Sequence, residues 1–314
     1  MGRQRKRKGD PVHGWLAVDK PLDITSTRVV GILKRLYNAQ KAGHGGTLDP
    51  LADGILPIAF GEATKTAQWA MDCDKEYVFT VEWGTSTASQ DKEGDVVATS
   101  DVRPTRAEIE AALPQFIGDI AQIPPKYSAI KIDGERAYDL ARDGEEFDIP
   151  SREVTVYEAE IADIPDKDHV TLRVVSGKGF YVRAMARDLA QALGAEGHVS
   201  QLRRTRVGAL DETAAIKLSD LEALADNPSA LMAHLQPLET VLDDVPIIEI
   251  ESVDAAALKQ GRDIVLLPHQ IEDWRSAQIP DCDDRLALTV SIGQAVALGE
   301  VRAGRFQPKK VFQL

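Results

Sequence analysis

The chain has 314 residues, 43% of them hydrophobic and 28% charged, proportions that exclude a disordered or collagen-like polymer and suit about two domains of ~150 residues each. Its 37 basic and 50 acidic side chains sum to −13, which as a single number argues against a polyanionic partner. The sum conceals a partition: residues 207–314 hold 9 basic and 18 acidic side chains, whereas residues 173–206 hold 7 basic and 2 acidic, a local +5 that predicts a salt-sensitive contact with phosphates. Only Cys73 and Cys282 are present, without CxxC spacing or histidines at metal-ligand intervals. No disulfide framework and no metal site are expected, and the cysteine usage fits a reducing cytoplasm. The basic run at residues 3–8 precedes an apolar stretch of only residues 15–18, too short for a signal-peptide core, and no stretch approaches the ~20 apolar residues of a membrane span. Residues 1–12 are therefore expected to be a disordered basic arm that either touches phosphates or solvates the terminus.

In chain order, residues 15–18 read as a strand, and the hydroxyls at 25–27 offer N-caps to a helix with the apolar stripe Val29, Leu33, Leu36. Residues 41–54 are rich in Gly and Asp and read as a loop before an apolar run at 55–60. Residues 64–71 look helical, 77–83 alternate with period two as a strand, and 96–99 continue in that style. A short helix is expected at 105–116, a strand at 126–132 after Pro124-Pro125, a helical turn or two at 136–142, and strands at 153–161 and 170–176. A helix over 181–193, with Val182, Met185, Ala186 and Leu189 on one face, leads to a strand at 198–207. Strands outnumber helices and do not alternate strictly with them, so the fold class is α+β with a mixed sheet rather than a doubly wound one. The acidic stretch at 243–246 marks a boundary, followed by β-like runs at 247–250, 264–267, 286–292 and 294–298 that suggest a small β-rich module.

Four segments carry candidate chemistry. GHGGTLDPLADG (43–54) is either a glycine-rich turn whose Asp49 bonds its own backbone, or a cradle that lets an anion or a flat ligand approach the main chain. GKGFYVR (177–183) places two aromatics and two cations at a helix start; Phe180 and Tyr181 are core aromatics beside a solvated Arg183, or they stack on a nucleobase while the guanidinium holds an anion. VDKP (18–21) is a strand end and turn, and Tyr77 in KEY (75–77) is a strand-start tyrosine.

Taken together, DKP (19–21), AGHGGTLDPLADGILP (42–57), GEATK (61–65), DKEY (74–77), SGKGFYVR (176–183) and LRRT (202–205) resemble, in order and spacing, the TruB family of bacterial tRNA pseudouridine synthases over residues 13–245. The resemblance implies a pseudouridine synthase catalytic domain at 13–245, with a mixed, largely antiparallel sheet and an RNA-gripping insert at 126–152. It further implies a PUA-like β-rich domain at 247–314, whose one basic cluster is Arg302, Arg305, Lys309 and Lys310. The implied activity is isomerisation of the T-loop uridine at tRNA position 55, extruded from its stack. Asp49 matches the family's nucleophile, which as an already ionised carboxylate needs no general base. Arg183 matches the arginine that pairs with it, and Tyr77 the tyrosine that stacks on the flipped base and moves a proton. Tyr181 and Leu202 match residues lining the uracil pocket, His44 the histidine that fills the vacated space, and Lys20 a residue counted with the substrate-binding set as support for the site. No cofactor, no metal, no membrane contact and no obligate protein partner are implied, and the expected state is a monomer acting on the tRNA T arm in the cytoplasm. The adjacent Gly45 and Gly46 suggest extra backbone freedom beside His44.

Overall fold

The computed structural model describes residues 9–128, 130–132, 135–142, 147–278 and 285–314. Strand β1 (Gly14–Lys20) leads into α1 (Ser26–Leu36), β2 (Ala42–His44), β3 (Ala52–Phe60), α2 (Ala67–Asp72) and β4 (Lys75–Trp83). A hairpin of β5 (Thr85–Thr87) and β6 (Val96–Thr99) precedes α3 (Arg106–Ala112) and β7 (Gly118–Gln122). Within the insert lie β8 (Lys131–Ile132), β9 (Glu135–Arg136) and α4 (Ala137–Arg142). There follow β10 (Arg152–Asp166), β11 (His169–Ser176), α5 (Val182–Ala192), β12 (Gly197–Val207), β13 (Leu210–Asp211), β14 (Ile216–Lys217), α6 (Leu218–Ala223) and α7 (Pro228–Ala233). The C-terminal module comprises β15 (Ile247–Glu249), α8 (Ser252–Lys259), β16 (Ile264–Val265), α9 (Pro268–Ser276), β17 (Leu286–Ser291), β18 (Gln294–Arg302) and β19 (Arg305–Val311).

The larger sheet runs β14-β1-β3-β12-β4-β11-β10-β7, with β2 on β3 and β13 on β12. Only β1/β14 and β3/β12 are parallel, so the mixed, largely antiparallel α+β architecture expected from the sequence is the one that forms. Both faces of its centre are covered. Successive residues of β1 point to opposite sides: Trp15 and Ala17 join one core, Leu16 and Val18 another. That is why residues 15–18 read as an unbroken apolar run. α1 is capped by Thr25, whose Oγ1 accepts from Arg28 N at 3.1 Å, and it buries Val29 and Leu33 against β1 and β3. On the other half of the sheet, Tyr77, Phe79, Val81 and Trp83 of β4 meet Val182, Met185 and Leu189 of α5. Gly54, Arg204 and Tyr77 are direct neighbours across β3, β12 and β4.

Several expectations give way. Residues 42–44 form β2 rather than loop because their backbone pairs with the edge of β3, from Ala42 opposite Phe60 to His44 opposite Ile58. Of the expected arm, residues 1–8 lie outside the described residues, but the final four are held: Asp10 bridges to Ala39 and Val12 is buried. The expected strand at 126–132 shrinks to its last two residues. Helices α8 and α9 escape a pattern search because each buries so little, Ala255 and Leu258 in one and Trp274 in the other. Strand β19 is disguised by Pro308, which sits opposite Gly299 beside a register shift where a proline is tolerated.

The acidic stretch at 243–246 is no exposed linker. Leu242 and Val245 share one core with Trp15, Ile55 and Ala59 of the larger sheet and with Leu288, Leu298 and Phe312 of the C-terminal module. The chain's end is tied down by GEATK: Lys65 Nζ donates to Val311 O at 2.6 Å, Gln313 N donates to Glu62 Oε2 at 2.8 Å, and the Lys310 ammonium lies 5.3 Å from the Trp69 ring centre. Phe312 between these contacts is fully buried. Phe312→Ala is therefore expected to destabilise the whole chain by roughly 3–5 kcal/mol, read from urea unfolding, with both modules melting together.

Candidate active site

The GHGGTLDP loop has little secondary structure of its own, so its main-chain polar groups must find partners elsewhere. They find buried side chains. Arg204 on β12, 2% exposed, donates from Nε to Ile55 O at 2.8 Å and from Nη1 and Nη2 to the carbonyls of Thr47 and Gly46 at 3.2 Å. Ser26 at the start of α1 holds Leu48 from both sides, donating to its carbonyl at 2.8 Å and accepting from its N–H at 2.9 Å. Lys20 at the end of β1, fully buried, directs its ammonium at the carbonyls of Pro21, Ile24 and Pro50. Gly54 is required where it stands, because at its φ of +98° a Cβ would lie 2.2 Å from Arg204 O. Gly45 is equally fixed: its N–H donates to Pro57 O at 2.8 Å and a Cβ would meet Ala70 at 2.6 Å. The freedom expected beside His44 is absent.

This fixed loop presents Asp49 to Arg183. Oδ2 of Asp49 lies 2.8 Å from Arg183 Nη2, with the arginine side chain 9% and the carboxylate 42% exposed. Arg183 is itself gripped. Nη2 also donates to Tyr127 O at 3.0 Å, and Nη1 donates to Ser89 O at 3.1 Å and faces Asp91 Oδ2 at 3.4 Å. Asp91 in turn accepts from Ser89 Oγ at 2.5 Å and Glu93 N at 3.1 Å. Asp91 and Ser89 were not singled out by the sequence reading; they sit in the polar TASQDKEGD stretch, where nothing distinguishes Asp91 from the neighbouring Glu93 and Asp95. Tyr127 places the stem of the insert in direct contact with the arginine.

A cavity of about 270 Å³ opens over Asp49, lined by Tyr77, Tyr181, Leu202, Phe180, Arg183 and Lys75 among others. Tyr77 projects from β4, and its ring is tilted against Phe180 with centroids 6.3 Å apart. Tyr181 is set by Gln122, which accepts from its N–H at 2.8 Å and donates to its carbonyl at 3.1 Å, and burial raises its phenol's pKa. The structure thus brings Asp49, Tyr77, Arg183, Tyr181 and Leu202 together. Lys20 does not join them; its ammonium is spent on three carbonyls, and burial brings its pKa down to about 8. It positions the loop rather than touching the cavity. His44 lies on β2 beside the loop, outside the cavity wall, with Nδ1 buried and without a hydrogen-bond partner. Burial, and then the Arg204 charge, hold its imidazole below the usual histidine pKa, favouring the neutral ring. Lys75, absent from the sequence-derived set, lines the cavity while donating to the carbonyls of Met71 and Cys73; burial lowers its pKa to about 8.

The +5 zone is not a basic surface. Arg173 meets Glu76, Glu158 and Glu160 at 2.6, 2.7 and 3.2 Å. Arg203 meets Asp19, Asp53 and Glu212 at 3.0, 3.2 and 2.7 Å, and Arg187 pairs with Asp188 at 2.7 Å. The C-terminal cluster is likewise committed: Arg302 and Lys309 to Glu300, Arg305 to Asp263, and Lys310 to Trp69. Arg173 and Arg203 thus draw on carboxylates distant in sequence, such as Glu76, Asp19 and Asp53, and Arg187 and Arg302 on near neighbours.

Comparison with known proteins identifies the family. A model described as the N-terminal domain of TruB family pseudouridylate synthases matches residues 34–182, and one described as the tRNA pseudouridylate synthase B C-terminal domain matches residues 183–243. The chain is 56% identical over 310 residues to tRNA pseudouridine synthase B of Caulobacter vibrioides, covering 99% of each. It is 49% identical to the protein of the same name from Bradyrhizobium diazoefficiens, covering 100% of this chain and 89% of that one. A chain in the crystal structure of a Cbf5-Nop10-Gar1 complex superimposes with a TM-score of 0.71 at 26% identity, covering 99% of this chain and 91% of that one. With family models spanning residues 34–243 and such identity over nearly its whole length, this chain belongs to the TruB family of pseudouridylate synthases.

Proposed function

We propose that the protein converts the T-loop uridine of tRNA, position 55, to pseudouridine, with Asp49 as nucleophile. One observation carries the reading: an arginine-paired carboxylate, 2.8 Å from its partner, at the floor of a cavity walled by Tyr77, Tyr181 and Leu202. The relatives' name, tRNA pseudouridine synthase B, supports tRNA as the substrate. A uridine in a folded loop must leave its stack to reach that floor, at a cost of a few kcal/mol. The neutral His44 ring is flat enough to occupy the space left behind. Asp49 then attacks C1′ of the ribose or C6 of the base. The C1′–N1 bond breaks, the base turns, and a C1′–C5 bond forms as the bond to Asp49 breaks and frees its carboxylate; C5 loses a proton and N1 gains one, so the exchange consumes no oxidant and no cofactor. Tyr77 stacks on the base and moves the proton, while Arg183 pairs with the carboxylate and aims it.

The insert at 126–152, whose stem touches Arg183, supports recognition of the T arm by this chain alone, as a monomer. Likeness to a chain from a Cbf5-Nop10-Gar1 complex raises partner-dependent action as the competing view. Turnover of a T-arm hairpin by the purified protein alone decides between them.

Asp49→Asn is expected to fold and bind tRNA while leaving no pseudouridine at position 55, read by mapping the modification; retained turnover removes Asp49 from its role. Asp91→Asn loosens Arg183 without touching substrate, and it is expected to lower kcat by up to about 100-fold with KM nearly unchanged. A pH effect on stability follows from Lys20. Its folded pKa of about 8 lies below the ~10.4 of an unfolded lysine, so between these values only the unfolded chain holds the proton. Raising the pH through that window favours the folded state. Urea unfolding at pH 8 and pH 10 is expected to show a smaller gain for Lys20→Met than for the wild type.

A further inference from the structure

With Arg173, Arg187 and Arg203 of the +5 zone paired with carboxylates, a second basic segment stands out for having no such partners. Residues 24–48 hold four cations, Arg28, Lys34, Arg35 and Lys41, and no carboxylate, in a chain with 50 acidic residues. All four are exposed, and among the described residues none forms an ion pair or a side-chain hydrogen bond. Of the acidic groups around it, Asp10 accepts from Asn38 Nδ2 at 3.0 Å, and Asp23 and Asp49 flank the stretch in sequence.

Two features of α1 oppose helix stability and gain nothing within the fold. Its first turn carries Arg28 and no acid, placing a cation at the positive end of the helix dipole. Its middle carries Gly31, which costs about 1 kcal/mol against alanine although a Cβ there would meet nothing within 4 Å. Arg28, Gly31 and Arg35 are spaced at i, i+3 and i+7, one stripe of the helix, with the two guanidinium stems ~10 Å apart along the axis. The result is a shallow notch between two unpaired cations. α1 starts at Ser26, which bonds Leu48 next to Asp49, and it packs on β2, which carries His44, so the helix that carries this stripe is joined at its N-terminus to the loop that holds Asp49.

We propose that the outer face of α1, with Arg28 and Arg35 on either side of Gly31 and with Lys34 and Lys41 beside them, is a contact surface for the phosphate backbone of the RNA substrate, next to the nucleotide that enters the cavity. This rests on the reading of the protein as a tRNA-modifying enzyme. Arginines suit the task because they hold phosphate oxygens in a fork, and a glycine between them lets the backbone come close. The contact is independent of sequence, setting register rather than choosing the base.

The test is binding of unmodified tRNA transcript by filter retention across a series of KCl concentrations. Arg28→Glu combined with Arg35→Glu is expected to keep the wild-type melting temperature, to raise Kd about tenfold or more, and to reduce the slope of log Kd against log salt by about 2. Gly31→Met, which fills the notch with a good helix former, is expected to raise the melting temperature and still weaken tRNA binding several-fold. Wild-type Kd in either variant overturns the proposal, and so does weakened binding by the double variant with an unchanged salt slope. Absence of pseudouridine formation by the wild-type protein counts against the functional reading instead, because the binding measurement is read without turnover.

Discussion

A guanidinium on a side chain only 9% exposed is the constraint around which the site is organised. Burying such a charge is tolerable only if carboxylates and carbonyls replace the lost water. Arg183 obtains them from three separate parts of the chain: Asp49 from the GHGGTLDP loop, Asp91 and the Ser89 carbonyl from the loop after β5, and the Tyr127 carbonyl from the stem of the insert. Removing any one leaves the others facing an under-compensated cation. The GHGGTLDP loop, the loop after β5 and the segment at Tyr127 are thereby bound to one point. Asp49 is the most exposed member of the group because its other side faces the cavity.

The same chemistry recurs in the scaffold with the opposite emphasis. Lys20, Lys75 and Arg204 are buried cations without a carboxylate within ion-pair distance among the described residues, and each is directed at main-chain carbonyls. Loops rich in Gly and Pro leave such carbonyls unpaired, and in a dry interior an unpaired carbonyl costs more than an ordinary hydrogen bond returns. A charged donor is the stronger remedy. The loop's stiffness therefore comes from side chains on strands β1 and β12 and on helix α1, not from its own residues, and this lets a glycine-rich segment hold a carboxylate in place.

Much of this was legible beforehand. Period-two alternation at 77–83 and the apolar stripe of α5 located the two elements that carry Tyr77 and Arg183, and the motif order located Asp49, Tyr181 and Leu202. What stayed hidden depended on pairing across the sheet. Nothing near Arg173 in sequence announces Glu76, which meets it from the adjacent strand β4, and nothing near Arg203 announces Asp19 and Asp53. Asp91, 92 residues before Arg183 in the chain, is invisible for the same reason. Counting charges along a sequence measures composition, whereas phosphate affinity depends on which charges are left unpaired after folding.

That distinction bears on how a chain of net charge −13 can approach a polyanion. Its long-range field repels RNA, so affinity must come from contacts short enough to act within a Debye length, about 8 Å at physiological salt. Pairing arginines such as Arg173, Arg187 and Arg203 with carboxylates removes them from indiscriminate phosphate binding. A small exposed set in the acid-free stretch 24–48 keeps its charge available, next to the loop that holds Asp49. On the proposed reading, stacking on Tyr77 and a few local phosphate contacts are realised together when a nucleotide leaves its stack and enters, so local contacts rather than the overall field supply the affinity.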